Sequence, residues 1–143
     1  MKDNVVLSAE KKIDIRFNEI DMMGVVWHGA YTAYLEDARE AFGQKYGLTY
    51  TKCLFEFKHY APVVDLRISY KKPLCYGMHP VVRITYRPSD SAKLIFDYEI
   101  FNPEDGEVFL KASTVQVFMD KDFNLLWETP AFFNEWKQLM GLE

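Results

Sequence analysis

The run Arg16-Phe17-Asn18-Glu19-Ile20-Asp21-Met22-Met23-Gly24-Val25-Val26-Trp27-His28-Gly29-Ala30-Tyr31 joins a segment of two-residue hydrophobic period to one of helical period. At its start Ile13, Ile15 and Phe17 alternate with Asp14, Arg16 and Asn18, which predicts a half-buried strand. From its end Tyr31, Tyr34, Leu35, Ala38, Ala41 and Phe42 recur at helical spacing, with Glu36, Asp37 and Glu40 elsewhere around the turn. The spacing predicts a helix from about Tyr31 to Tyr46, stopped by Gly47. Asp21, a glycine turn at Gly24 and His28 thus stand immediately before a helix N-terminus. A carboxylate in that position can activate water or attack a carbonyl, and the free N–H groups of the helix end can hold the oxyanion that develops.

Downstream of Pro62 the period of two dominates. Val64, Leu66, Ile68 and Tyr70 form one alternating set, and Val82, Ile84 and Tyr86 a second. Leu94, Phe96, Tyr98 and Ile100 form a third, and a longer strand is expected from about Glu107 to Met119. The breaks carry turn residues: Lys72-Pro73, Tyr76-Gly77, Pro88-Ser89-Asp90-Ser91 and Asn102-Pro103-Glu104-Asp105-Gly106. Such short connections leave no room for crossover helices, so the sheet is expected to be mainly antiparallel. Thr49–Lys58 reads as a short helical turn. Thr129 is placed to cap a final helix with Pro130 in its first turn and Phe132, Phe133, Trp136, Leu139 and Met140 on its apolar face. The expected class is α+β, a long helix against an antiparallel sheet with a short C-terminal helix. Ile95, Phe101, Val115, Val117 and Met119 fall on the opposite strand faces, which predicts a partly apolar outer face that meets a second subunit.

Composition agrees with one domain spanning residues 1–143. Hydrophobic residues make up 49% and aromatics 16%, which excludes a disordered chain. A formal net charge of -4 argues against nucleic acid as a partner. No run approaches the ~20 apolar residues of a membrane span, and Met1–Leu7 lacks the apolar core of a leader. Cys53 and Cys75 read as buried, reduced thiols of a cytoplasmic protein. His28, His59 and His79 lack metal-ligand spacing, and neither a Gly-x-Ser-x-Gly elbow nor a phosphate-binding glycine loop is present, so no metal or cofactor is expected.

The pattern Asp21-x-x-Gly24-Val25-Val26-Trp27-His28-x-x-Tyr31, followed by Glu36-Asp37-Ala38-Arg39, resembles the signature of hotdog-fold acyl-CoA thioesterases. The resemblance is to the 4-hydroxybenzoyl-CoA thioesterase-like group, which includes the Tol–Pal-associated branch, and the order of elements matches from about Lys11 to Asp120. It implies a hotdog fold, with the central helix wrapped by the sheet, and a homodimer or homotetramer with active sites at the dimer interface. It implies Asp21 as general base or nucleophile and the His28 backbone N–H as the donor that polarises the thioester carbonyl. Gly24, Val25, Val26, Trp27 and Tyr31 would then shape the substrate pocket, with coenzyme A entering as part of the substrate. Lys71, Lys72, Arg87, Ser89, Ser91 and Lys93 are candidates for its phosphates.

Simpler roles exist for several of these residues. An aspartate before a helix can be a turn residue, His28 can be a packed side chain, Tyr31 and Tyr34 can be core, and Glu36, a candidate second carboxylate, can be a solvated charge. Two positions depart from the family pattern: Ile20 replaces a small polar residue, and Ala30 replaces a frequent asparagine. Alternative readings are a hotdog enoyl-thioester hydratase or dehydratase, and a non-catalytic acyl-CoA binding module.

Overall fold

The alternating stretches after Pro62 become four strands: β2 (Val63–Tyr70), β3 (Val81–Arg87), β4 (Lys93–Phe101) and β5 (Val108–Val117). With β1 (Ser8–Lys12) they make one antiparallel sheet in the order β1-β3-β4-β5-β2. Helix α1 (Tyr31–Tyr46) lies on one face, resting on β1 and β3, and is followed by α2 (Tyr50–Phe55) and, at the end, α3 (Ala131–Leu139). This is the hotdog arrangement. It is seen in a computed structural model that describes residues 5–142; the residues before Val5, part of the stretch examined for a leader, lie outside them. Among the described residues no helix is long and apolar enough to cross a membrane.

Alternation decides which side chains meet α1. Leu94, Phe96, Tyr98 and Ile100 are buried under the helix, while Ile95 and Phe101 are half-buried on the outer face. Val115, Val117 and Met119 are half-buried as well, as the period of two requires. Phe42 of α1 is the centre of the core, its ring 4.8 Å from Phe96 and 4.7 Å from Tyr46. Trp136 of α3 closes the far end and donates its Nε1–H to the Tyr46 carbonyl at 2.8 Å, satisfying an acceptor in the last turn of α1. Gly47 ends α1 with φ 76°, as its position predicted.

Five local expectations are corrected. The first strand is Ser8–Lys12, not Ile13–Phe17. Its ladder stops because Ile13 donates to the carbonyl of Pro80, which has no N–H to return. Phe17–Glu19 instead forms a 3-10 turn, with Phe17 exposed against the edge of Tyr76. In β2, Val64, Leu66 and Tyr70 are exposed, because β2 is an edge strand and α1 rests on β1 and β3, at the other end of the strand order. Helix α3 is capped by Pro130, not Thr129, without a side-chain cap; the proline holds Thr129 extended and one residue too early. Leu139 is exposed beyond the face formed by Phe132, Phe133 and Trp136. Both cysteines are free, but only Cys53 is buried.

The core contains one charge that the periodicity did not place there. Arg39 of α1 is 1% exposed, on the face assigned to apolar residues. Its Nε donates to Gln116 Oε1 at 2.9 Å and one terminal nitrogen donates to the Leu48 carbonyl at 2.8 Å. The guanidinium lies over the rings of Tyr50 and Phe96, 4.7 and 5.0 Å from their centroids. Gln116 in turn donates to the Ala61 carbonyl, so one side chain joins α1, the segment leading to β2, and β5.

Candidate active site

The segment between the 3-10 turn and α1 is a tight loop stitched to the sheet. Ile20 bridges Val26, and Val25 bridges Cys75. Asp21 N–H donates to the Val25 carbonyl at 2.9 Å and Gly24 N–H to the Asp21 carbonyl at 3.0 Å. Gly24 adopts φ 79°, a region costly to any residue with a Cβ, so the glycine is required by the turn. The Asp21 side chain completes it: Oδ1 accepts from Met23 N–H at 2.8 Å and from Val25 N–H at 3.4 Å. Among the described residues no hydrogen bond falls on Oδ2. The carboxylate is half-buried, and its charge contributes to raising the Tyr31 hydroxyl above its ordinary range, after burial as the main cause.

Glu19 locks this loop to the helix. Its carbonyl accepts from Trp27 N–H at 3.0 Å, and its carboxylate accepts from Arg16 N–H at 2.8 Å and from the Tyr34 hydroxyl at 2.9 Å. Burial first, and then this hydrogen bond, push the Tyr34 pKa up. Residues His28–Ala30 form a 3-10 turn that runs directly into α1, with no side-chain cap at either start. Among the described residues no acceptor faces the His28 N–H. The helix N-terminus thus presents an open donor at the end of a favourable dipole.

The cleft in front of that donor holds roughly 340 Å³ and is lined by Val26, His28, Tyr31, Tyr70, Lys71, Lys72 and Pro73. The Tyr70 hydroxyl donates to the His28 carbonyl at 3.3 Å, and its ring meets Tyr31 edge-on at 5.2 Å. The Tyr31 hydroxyl accepts from the Leu74 N–H at 3.3 Å. Two of the candidate phosphate contacts, Lys71 and Lys72, stand at the rim; Lys72 also pairs with Glu107 at 3.2 Å. Trp27 folds its indole over Gly29, where a Cβ would lie 2.0 Å from the ring. Gly29→Ala is therefore expected to displace the indole, cost ~1–3 kcal/mol of stability, and change tryptophan emission; unaltered emission and thermal midpoint would show that the contact is not held in solution.

The remaining candidates are elsewhere. Arg87, Ser89 and Lys93 sit at the far end of β3 and β4, roughly 20 Å of strand away from the cleft. Arg87 pairs with Asp97, which holds its guanidinium above the ordinary range, and Ser89 Oγ and Ser91 Oγ bond each other at 2.8 Å. Glu36 is exposed on α1, and among the described residues it forms no ion pair. Val26 is buried as part of the cleft wall, while Val25 points its backbone to Cys75. Tyr70 and Glu19 were not singled out beforehand. Tyr70 reaches His28 across 42 residues, which no local pattern reveals; Glu19 stands three residues after Arg16, a spacing that does signal a capping carboxylate.

Comparison with known proteins gives this geometry its context. The family model described as thioesterase-like superfamily matches residues 15–136. YneP of Bacillus subtilis (strain 168), which carries an acyl-CoA thioesterase name, is 37% identical over 115 residues, 80% of this chain and 81% of YneP. The crystal structure of DHNA-CoA thioesterase from Staphylococcus aureus superposes with a TM-score of 0.79 at 28% identity, covering 94% of this chain and 92% of that one. For 4-hydroxybenzoyl-CoA thioesterase from Pseudomonas sp. strain CBS-3 the TM-score is 0.77 at 20% identity, with 90% and 98% covered, a likeness of fold. Matched over most of its length, from the strand-to-helix loop to α3, the chain belongs to the thioesterase-like superfamily.

Proposed function

We propose that the protein hydrolyses an acyl-CoA thioester to the free acid and coenzyme A. The observation that carries this is an uncapped helix start at His28 that borders the cleft, reached directly from the tight turn that holds the half-buried Asp21. The thioester carbonyl oxygen would accept from the His28 N–H, which strengthens as negative charge develops in the tetrahedral intermediate. As base, Asp21 takes a proton from the attacking water; as nucleophile, it forms an anhydride that water then opens. In either route the C–S bond breaks and the departing thiolate takes up a proton. The names of YneP and of the Staphylococcus aureus neighbour support the CoA ester as substrate.

Val26 and Tyr31 form the wall nearest the acyl group in this reading, Gly24 and Val25 hold the loop, and Lys71 and Lys72 meet the phosphates, while the expected wall residue Trp27 packs over Gly29 outside the cleft lining. No resident metal or cofactor takes part, since coenzyme A arrives with the substrate. The working form is a homo-oligomer in the cytoplasm, in which Arg87, Ser89 and Lys93 reach the nucleotide from a neighbouring subunit.

The test is thiol release by the purified protein from short, long and aromatic acyl-CoAs, with enoyl-CoA hydration followed in parallel. Saturable thiol release is the expected result. Hydration without thiol release, or tight acyl-CoA binding without turnover, would overturn the hydrolase reading.

A further inference from the structure

The backbone donors around His28 are engaged on either side of it. Val26 N–H donates to the Leu74 carbonyl at 2.8 Å, Trp27 N–H to the Glu19 carbonyl at 3.0 Å, and Ala30 N–H to the Trp27 carbonyl at 3.0 Å. The two residues before His28 are thus tied to separate segments, Val26 to the chain that follows β2 and Trp27 to the 3-10 turn that carries Glu19. These bonds fix where the chain enters α1. They do not fix the direction in which the helix leaves, because neither the His28–Ala30 turn nor α1 starts with a side-chain cap.

The Glu19 carboxylate supplies that second restraint. It is half-buried, and Oε1 accepts from Arg16 N–H at 2.8 Å and from the Tyr34 hydroxyl at 2.9 Å. Tyr34 closes the first turn of α1 and is buried. Its ring meets Tyr31 edge-on at 6.0 Å, and the Tyr31 hydroxyl accepts from Leu74 N–H at 3.3 Å. A circuit therefore runs from Glu19 through Tyr34, Tyr31, Leu74 and Val26, and returns to Glu19 through Trp27. His28 is the next residue along the chain. Among the described residues neither Glu19 nor Tyr34 lines the cleft in front of His28; both border a separate cavity with Lys12, Arg16 and Asp37.

We infer that Glu19 is a positioning residue for hydrolysis, which acts through Tyr34 and Trp27 to hold the His28 N–H in register with the Asp21 turn. The inference rests on the oxyanion role proposed above for that N–H. Glu19 stands two residues before Asp21, and Ile20 between them bridges Val26, so one short segment carries both the reacting carboxylate and the anchor of the donor. An oxyanion donor acts only within a few tenths of an ångström of its proper place. A displacement of about 1 Å can cost on the order of 10²-fold in rate. A hydrogen bond from a buried hydroxyl to a carboxylate is stronger than one between neutral groups, which suits the tie to that task.

The test separates placement from folding and from turnover. Its probes are carba(dethia) analogues of a short, a long and an aromatic acyl-CoA, in which a methylene group replaces the thioester sulfur and the carbonyl is isotope-labelled. They cannot be hydrolysed, and infrared difference spectra of the bound carbonyl read its polarisation directly. The stretch is expected to fall in frequency on binding to the wild type, and to lose most of that shift in Glu19→Ala and Tyr34→Phe. Glu19→Gln is expected to keep it, because the amide oxygen still accepts both bonds. In thiol release, Glu19→Ala and Tyr34→Phe are expected to lower kcat by ~10–100-fold with KM unchanged, and the double variant to be no slower than Glu19→Ala alone. Tyr34→Phe keeps the ring and removes one hydroxyl, so it decides the matter if Glu19→Ala does not fold. No shift in the wild type, a full shift in folded Tyr34→Phe, a Glu19→Gln protein as impaired as Glu19→Ala, or losses that fall on KM would overturn the inference. The expected pattern of shifts with no thiol release from any acyl-CoA would leave the placement standing and sink the hydrolase reading alone.

Discussion

Asp21→Asn lowers kcat/KM for thiol release by ~10²–10⁴-fold and leaves the protein folded. The asparagine can keep the turn, because its side-chain oxygen still accepts from Met23 N–H, a contact of 2.8 Å in the parent. What it loses is the anion, and with it both the base and the nucleophile that the proposed chemistry allows. The loss should fall on kcat more than on KM, since neither the Lys71–Lys72 rim nor the cleft wall is altered. Thiol release and thermal melting measured on the same preparation decide it. A folded Asp21→Asn protein with wild-type turnover would reduce Asp21 to a turn residue, the role its two backbone hydrogen bonds already describe.

Arg39→Ala is expected to cost ~3–5 kcal/mol of stability, the largest single effect outside the loop. An arginine cannot escape burial by losing its proton, so its charge is held by Gln116, the Leu48 carbonyl and the faces of Tyr50 and Phe96. Removing the side chain leaves those two acceptors buried without a donor and opens a cavity beside α1. Among the described residues one terminal nitrogen of Arg39 lacks a partner, so the guanidinium itself is incompletely compensated. Arg39→Met, which fills the space without the charge, should accordingly recover part of the loss. Urea unfolding of the two variants checks both statements; an Arg39→Ala protein within 1 kcal/mol of wild type would mean that the network contributes little.

The loop and the helix were legible for a local reason. Asp21, Gly24 and His28 act within eight residues of one another, and the bonds that shape the turn are between neighbours in sequence. The period of 3.6 from Tyr31 and the glycine at 47 located α1 to the residue. The alternation after Pro62 located β2 to β5 nearly as well, since a strand's own pleat dictates which side chains share a face.

What alternation lacks is any record of which face is covered. β2 carries the same pattern as its neighbours, yet its inner residues are exposed, because its place at the sheet edge comes from pairing with β5. Tyr70 reaches His28, and Arg39 reaches Gln116 across 77 residues, only once the sheet has closed. The first strand was misplaced for a related reason: the Ile13–Phe17 alternation is real, but Pro80 ends the ladder at that point. The chain alone thus determined α1, the strands after Pro62, the antiparallel class and the chemistry-bearing loop, all of which depend on short-range backbone geometry. The tertiary structure decided which strand stands open at the edge, which cations border the cleft, and which buried polar side chain joins the layers, because those depend on long-range packing that no local period encodes.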